Sequence, residues 1–260
     1  MITPLNKIFK LRYFILFTAS FLVMSFSFFQ SNARCEIKKL STAAIIKVAG
    51  ANIFYTSFSI ADVNISVIGP ELHNNAKNNF ITDKASLPHL LAIVNGGYIS
   101  SFSPLRPLGL VKIDNNLLSS PVKTWVGMGL VCMKPGQISI TEFDVNRVDE
   151  FRDCIQSGPF IIKNGVNRYS NIDNLPVGEK KLLNDKQEHS FVCIDDNNKI
   201  ILGYAEPILL QELTEKLLNT INCKNALRLS GGATSALIVG SKIYGNSDLP
   251  IHNAIGIFAK

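Results

Sequence analysis

The residues best equipped for chemistry lie in one stretch, Asn225-Ala226-Leu227-Arg228-Leu229-Ser230-Gly231-Gly232-Ala233-Thr234-Ser235-Ala236-Leu237-Ile238-Val239. An apolar strand pattern runs into two glycines flanked by the hydroxyls of Ser230, Thr234 and Ser235, and a second strand leaves at once. Paired glycines let backbone N–H groups approach a ligand with no Cβ in the way, and they tolerate positive φ. Clustered N–H groups in such a turn favour an anion. A tight hairpin turn would satisfy the same Gly-Gly pair. Two further glycine turns bear on the choice. Asn95-Gly96-Gly97-Tyr98 follows the apolar run 90–94, and Gln156-Ser157-Gly158-Pro159 precedes the run 160–162. A carboxamide offers both donor and acceptor, so Asn95, polar at a strand end beside two glycines, is the leading single candidate. Three such turns converging at one mouth of a sheet would suit a sugar phosphate. Neutral donors would meet its hydroxyls, and backbone N–H groups its phosphoryl oxygens.

Short or alternating apolar runs must carry these turns. Strands are expected over 43–48, 53–60, 65–68, 90–94, 109–113, 125–133, 137–142, 160–162, 191–194 and 199–203. Asp195 and Asp196 fit turn positions, with Asp196-Asn197-Asn198 as hairpin chemistry, and Asn164-Gly165 signals a tight two-residue turn. One helix is expected over 207–218. Pro207 suits its first position, and Leu209, Leu213, Leu217 and Ile221 recur at four-residue steps as a buried stripe. Glu212 and Lys216 form a favourable i,i+4 pair. Glu206 reads as a charge at the helix start or an acid at the site, and Trp125 as core. The polar stretches 74–79 and 169–187 read as loops. The class is α+β: a strand-rich single domain with a mixed sheet and few helices.

At the N-terminus Lys7, Lys10 and Arg12 precede a nearly unbroken apolar stretch, 13–29, and Ser31-Asn32-Ala33 sets small residues for a cut after Ala33. Residues 1–33 read as an export signal. The alternative is an uncleaved anchor, although the stretch falls short of the about 20 residues that span a bilayer comfortably. The expected place is secreted or periplasmic, with membrane contact only through this segment if it stays. Its removal takes three cations and lowers the formal net charge from +6 to +3. No Lys/Arg stripe with interleaved aromatics remains, so no nucleic-acid partner is expected. Residues 34–260 suffice for one sizeable domain, or two small ones, and the motif order favours one. They hold Cys35, Cys132, Cys154, Cys193 and Cys223. An odd number leaves at least one thiol unpaired in a monomer, and no Cys-x-x-Cys points to zinc or thioredoxin-type chemistry. Cys193 reads as a small apolar core residue and Cys154 as structural.

Five motifs in order over residues 90–260 resemble the phosphodiester glycosidase family. They are Val94-Asn95-Gly96-Gly97-Tyr98; Arg106-Pro107-Leu108-Gly109-Leu110; Ser157-Gly158-Pro159-Phe160-Ile161-Ile162 with Asn164-Gly165; the stretch 226–235; and His252-Asn253-Ala254-Ile255-Gly256-Ile257. The resemblance implies hydrolysis of a sugar-1-phosphodiester, with phosphate leaving the anomeric carbon, outside the cytoplasm. It also implies a divalent metal, calcium, on oxygen ligands, though no ligand set is identifiable from the sequence. Where the family has Asp before the glycine pair this chain has Ser230, whose hydroxyl cannot supply an anionic oxygen. Arginines usual before the 191–194 strand and before the final Asn-Ala-Ile are replaced by His189 in the first case and missing from Asp248-Leu249-Pro250-Ile251-His252 in the second. His189 and His252 could substitute, since imidazole titrates near neutral pH; each could equally be an ordinary strand-start or loop residue. Taken with the residue reading, Asn95, Ser230, His189 and His252 are catalytic candidates. Gly96, Gly97, Tyr98, Ser157, Gly158, Gly231, Gly232, Thr234 and Ser235 are substrate-binding candidates.

The leading expectation is therefore an exported hydrolase of sugar-1-phosphodiesters in envelope or capsular glycans. Its rival is a carbohydrate- or phosphate-binding protein of the same fold, weakened at Ser230. A third reading is an envelope scaffold with an uncleaved signal and a vestigial groove. Ser230 favours the rival; the intact Asn95 and Ser157 turns favour the enzyme. No pair of carboxylates suited to acid/base work is identifiable.

Overall fold

Alternating and continuous apolar runs assemble into three antiparallel sheets and a small hairpin. The computed structural model describes residues 43–48, 50–69, 81, 84–173, 175–245, 247 and 249–260, all within the unit Ser41–Lys260. The expected export signal, Cys35 and the stretch 74–79 lie outside the described residues. The largest sheet runs, edge to edge, Ala44–Val48, Ala51–Ser59, Lys199–Ile208, Gln187–Asp195, Cys223–Arg228, Phe160–Lys163 and Val166–Asn167. A second runs Gln137–Glu142, Gly129–Lys134, Asp153–Ser157, Val111–Ile113 and Asn116–Ser119. The third runs Lys242–Tyr244, Leu237–Val239, Leu90–Asn95, Ala254–Ala259 and Val63–Ile68. Ile99–Phe102 and Leu105–Pro107 form the hairpin. Among the described residues no helix is long and apolar enough to cross a membrane.

The strand-rich α+β expectation holds, but the sheets are not mixed: every ladder among the described residues is antiparallel. Parallel pairing needs long crossovers, usually helical, and helix is scarce among the described residues, its longest pieces being Val177–Asn184 and Leu210–Asn219. Both pack on the largest sheet, where Leu182, Leu183, Leu213 and Leu217 meet Ile53, Phe191, Ile201 and Ala226. Covered in this way, the middle strands read as continuous apolar runs such as Phe191-Val192-Cys193-Ile194 rather than alternating ones.

The second helix starts later than expected. Pro207 belongs to the end of the strand Lys199–Ile208, and the next amide, Leu209 N–H, donates to the Glu212 carboxylate at 3.4 Å. The buried stripe is accordingly Leu210, Leu213, Leu217 and Ile221. The stretch 169–187, expected as a loop, contains the first helix, anchored by Leu182 and Leu183 and by an ion pair from buried Glu179 to Arg168 (3.0 Å). Trp125 opens a short 3₁₀ turn rather than a strand and packs against the core. Glu206 is structural, its carboxylate accepting Asn52 N–H and Nδ2–H, both at 2.8 Å. Asp195 serves its turn, accepting from Asn197 N–H and Lys199 N–H. At the tight turn both Asn164 and Gly165 take positive φ (50° and 74°), as a twisted hairpin requires.

The chain changes sheets at the three glycine turns. Residues 157–160 lead from the second sheet to the first, 228–237 from the first to the third, and 95–99 leave the third for the hairpin.

Four cysteines are paired. Cys132–Cys154 links residues directly opposite in register, and Cys193–Cys223 joins neighbouring strands of the largest sheet. Cys193 is thus half of a bridge rather than a lone apolar residue; its partner lies 30 residues on, and spacing alone does not reveal strand register. With sequence separations of 22 and 30, each bridge should restrict the unfolded chain by about 3–4 kcal/mol. Replacing Cys193 and Cys223 together by Ala is expected to lower the unfolding free energy in urea by about 2–4 kcal/mol. Alkylation of unreduced, denatured protein should leave all four residues unlabelled.

Candidate active site

The three sheet crossings meet at one corner. Ser230 N–H donates to Gly96 O (2.9 Å) and Gly96 N–H to Asn253 O (2.8 Å). Gly97 N–H donates to Asn253 Oδ1 (2.8 Å). Asn95 is fully buried and engages both ends of its carboxamide: Nδ2–H donates to Ser230 O (2.7 Å), and Oδ1 accepts from Ala236 N–H (3.0 Å). Asn95 is therefore placed to position the 230–236 turn. The Ser157 hydroxyl donates to Arg228 O (3.1 Å) and the Tyr98 hydroxyl to Gly158 O (2.7 Å). Buried Gln156 closes the floor, its carboxamide bonded to Leu110, Val122 and Gly127 main chain at 2.8–3.0 Å.

The glycines serve mostly the protein itself. A Cβ on Gly96 would strike Asn253 Oδ1, and one on Gly97 would come within 2.8 Å of Gln156 O. A Cβ on Gly158 would lie 2.9 Å from Trp125 O. At Gly231 it would collide with the Arg228 guanidinium, whereas Gly232 is required by its φ of +62°. Gly96 and Gly97 are buried, and Gly231 and Gly232 are half-buried, so only the second pair reaches the surface. In that turn Thr234 Oγ1–H donates to Gly231 O (3.0 Å), which leaves Ser230 Oγ–H to donate to Thr234 Oγ1 (2.7 Å). The hydroxyl of Ser235 is buried with no hydrogen-bond partner.

Arg228 and Asn253, which the sequence reading did not single out, prove central. Arg228 is 2% exposed. Its Nε–H donates to His189 Nδ1 (2.9 Å), Nη1–H to the Tyr98 hydroxyl, and Nη2–H to Gln187 Oε1 (3.1 Å). All three acceptors are neutral groups. Signals for both residues were present: Arg228 interrupts an apolar strand run, and Asn253 stands between His252 and an apolar strand. Burial pushes the Tyr98 phenol up, outweighing the lowering effect of Arg228.

His189 is not placed for proton transfer. Nε2–H donates to Ile208 O (3.0 Å) while Nδ1 accepts from Arg228, which fixes one neutral tautomer. Burial, reinforced by the Arg228 charge, lowers its pKa to about 3. A guanidinium does stand at this position, but it is supplied by the neighbouring strand. His252, 7% exposed, is lowered to about 4 by burial. Its Nδ1 makes only a long contact, 3.5 Å, with Asn253 Nδ2. It is one residue from Asn253, and among the described residues no hydrogen bond ties it to the Arg228 cluster.

A family model for phosphodiester glycosidases matches residues 89–258, a span that contains all three turns. The chain belongs to the phosphodiester glycosidase family. Among curated proteins none matches it in sequence. In fold it is similar to a hypothetical protein from Synechocystis (TM-score 0.64, 13% identity), covering 84% of this chain and 61% of that one. It is also similar to the catalytic domain of zebrafish N-acetylglucosamine-1-phosphodiester alpha-N-acetylglucosaminidase, auto-inhibited by a pro-peptide (TM-score 0.62, 14% identity, 84% and 82% covered). A candidate exported protein from Burkholderia pseudomallei is a further neighbour (TM-score 0.56, 11% identity, 80% and 73% covered). The chain thus spans less than two thirds of the Synechocystis protein.

The calcium implied by the resemblance does not fit the donors at this corner. Hard cations take carboxylate and carbonyl oxygens. Among the described residues no three acidic, thiol or imidazole side chains converge, and Ser230 and the Arg228 cation occupy the junction.

The two depressed histidines set a pH dependence. Both stay neutral in the folded protein at pH values where the unfolded chain, titrating near 6.5, is already protonated. Their contribution to stability is thus present above about pH 6.5 and is lost as the pH falls toward 4 for His252 and 3 for His189. Unfolding free energy should fall between pH 7 and 4. His189→Gln, which keeps an acceptor for Arg228 and a donor for Ile208, should flatten that fall by up to about 1.4 kcal/mol per pH unit, read by urea titration across the range.

Proposed function

We infer that the protein is an exported hydrolase of sugar-1-phosphodiesters found in envelope or capsular glycans. The observation that carries this reading is the convergence of the Asn95, Ser157 and Ser230 turns at one three-sheet corner inside the family span. In the reaction the bond between the anomeric carbon and the ester oxygen breaks. Water supplies a hydroxyl to the sugar and a proton to the departing phosphomonoester. A phosphate on an anomeric carbon is a stable leaving group, so stabilising its charge can take the place of strong acid assistance. Gly231 and Gly232 bring main chain to the surface, and the Ser230–Thr234 hydroxyl pair behind them leaves the turn neutral toward a sugar. Buried disulfides favour an oxidising compartment, and the similarity to a candidate exported protein agrees with export.

Ser230 supports a second reading, a binding protein that holds a sugar phosphate without turning it over. Its hydroxyl carries no charge and is already bonded to Thr234. Release of reducing sugar from an N-acetylglucosamine-1-phosphodiester by the full chain separates the two. We expect turnover, with Asn95→Ala slowing kcat by about 100-fold as the 230–236 turn shifts. We also expect Ser230→Asp to reduce activity. A rise in Ser230→Asp would mark a weakened enzyme, and binding of the diester without turnover would establish the binding protein.

A further inference from the structure

We propose that Arg228 is an oxyanion-binding residue, taking two oxygens of a phosphate or phosphodiester where the Gln187 amide now sits. The inference rests on reading the turn cluster as a substrate site, and it names the group that holds the substrate's charge.

The argument starts from charge. An ionised side chain taken out of water without a partner is strongly disfavoured, and this protein pairs its other inward-facing arginines. Arg168 meets buried Glu179 at 3.0 Å, and Arg152 meets buried Asp153 at 2.7 Å. Arg228 is more deeply buried than either, yet no described carboxylate lies within ion-pair range of it. A guanidinium has five N–H donors, and three are engaged by His189, Tyr98 and Gln187. The other two, one on each terminal nitrogen, have no described acceptor, and departure of Gln187 frees a second N–H on Nη2, so the terminal nitrogens can then make the paired contact that arginine makes with phosphate.

The surrounding groups hold the cation in place without neutralising it. His189 has both ring nitrogens committed, so it can only accept from Arg228. Tyr98 gives its proton to Gly158 O and accepts from Arg228 with its lone pair. Gln187 differs from these two. It is half-buried, its Oε1 stands 3.1 Å from Nη2, and a Cβ on Gly232 would lie 3.9 Å from that same oxygen. The amide oxygen therefore sits beside both the guanidinium and Gly232, at the edge of the turn that covers Arg228. A phosphoryl oxygen is a stronger acceptor for a cation than a neutral amide, so an arriving anion displaces it.

Binding can be read without turnover. The full chain is titrated calorimetrically with inorganic phosphate and, separately, with an N-acetylglucosamine-1-phosphodiester, and Tm is followed alongside. We expect phosphate to bind and raise Tm, and Arg228→Gln to lose binding. Since Arg228→Gln risks misfolding, Gln187→Glu at a half-buried side chain is the decisive variant. Its carboxylate should occupy the guanidinium, raise the ligand-free Tm and weaken phosphate at least tenfold. No binding of either probe to the wild type, or equal binding in Gln187→Glu, overturns the assignment. Tighter binding of the diester than of phosphate marks a substrate subsite and the reverse marks a free-phosphate site; both uphold it. Phosphate binding lost in Gln187→Glu, without diester turnover, keeps this inference and removes the hydrolase reading. Turnover indifferent to Gln187→Glu does the opposite.

Discussion

Asn95 and Asn253 close a gap that no β ladder can close. Where strands end and the chain crosses between sheets, main-chain groups lose their ladder partners while staying buried. Each one left unsatisfied would cost about 1–3 kcal/mol. The two carboxamides supply donors and acceptors there: Asn95 ties Ser230 O to Ala236 N–H, and Asn253 receives Gly97 N–H while its main chain receives Gly96 N–H. Close approach then dictates the glycines, because a Cβ at either position would run into Asn253 or Gln156. The motif that looked like a ligand cradle is first a joint, and its chemistry is inherited from the joint's geometry.

Charge is arranged differently on the two sides of this joint. On the Val177–Asn184 helix, Glu179 is buried and satisfied by Arg168, an arrangement that fixes the helix against the core. Across the corner, Arg228 faces only neutral acceptors, and His189 is kept uncharged by burial and by the arginine itself. A protonated His189 beside Arg228 would set two cations in contact. The histidine thus orients the guanidinium instead of moving protons, and the cation the family resemblance led one to expect at this strand start is delivered from the adjacent strand.

Much of the architecture was legible because strand periodicity and turn chemistry are local. Gln137–Glu142 was readable from alternation, and Asn164-Gly165 from the positive φ that a tight turn needs. What was not legible depended on register. The Cys193–Cys223 bridge joins strands whose pairing no spacing discloses. The helix boundary at Leu210 was misplaced because Pro207 fits an edge of a strand as well as a first helical turn. Arg228 stood in plain view within an apolar run, but its meaning required knowing that Phe191 pairs with it and that His189 lies on the same strand as Phe191. Asn253 became informative only when Ala254 was seen to pair with Asn95 across a ladder.

Ser230 gains a different meaning in this setting. Read against the family pattern, it looks like the loss of a carboxylate and hence of function. The turn that carries it closes directly over the Arg228 guanidinium, with Gly231 trimmed to make room. A carboxylate on that turn would be drawn toward the nearest buried cation, and the resulting internal pair would compete with any bound anion for the same N–H groups. A serine in this position instead donates to Thr234, and the turn stays neutral. Neutral Ser230, neutral His189 and unpaired Arg228 therefore form one consistent set. His189 and Arg228 are bonded to each other, while Ser230 adds no charge of its own to the turn above them.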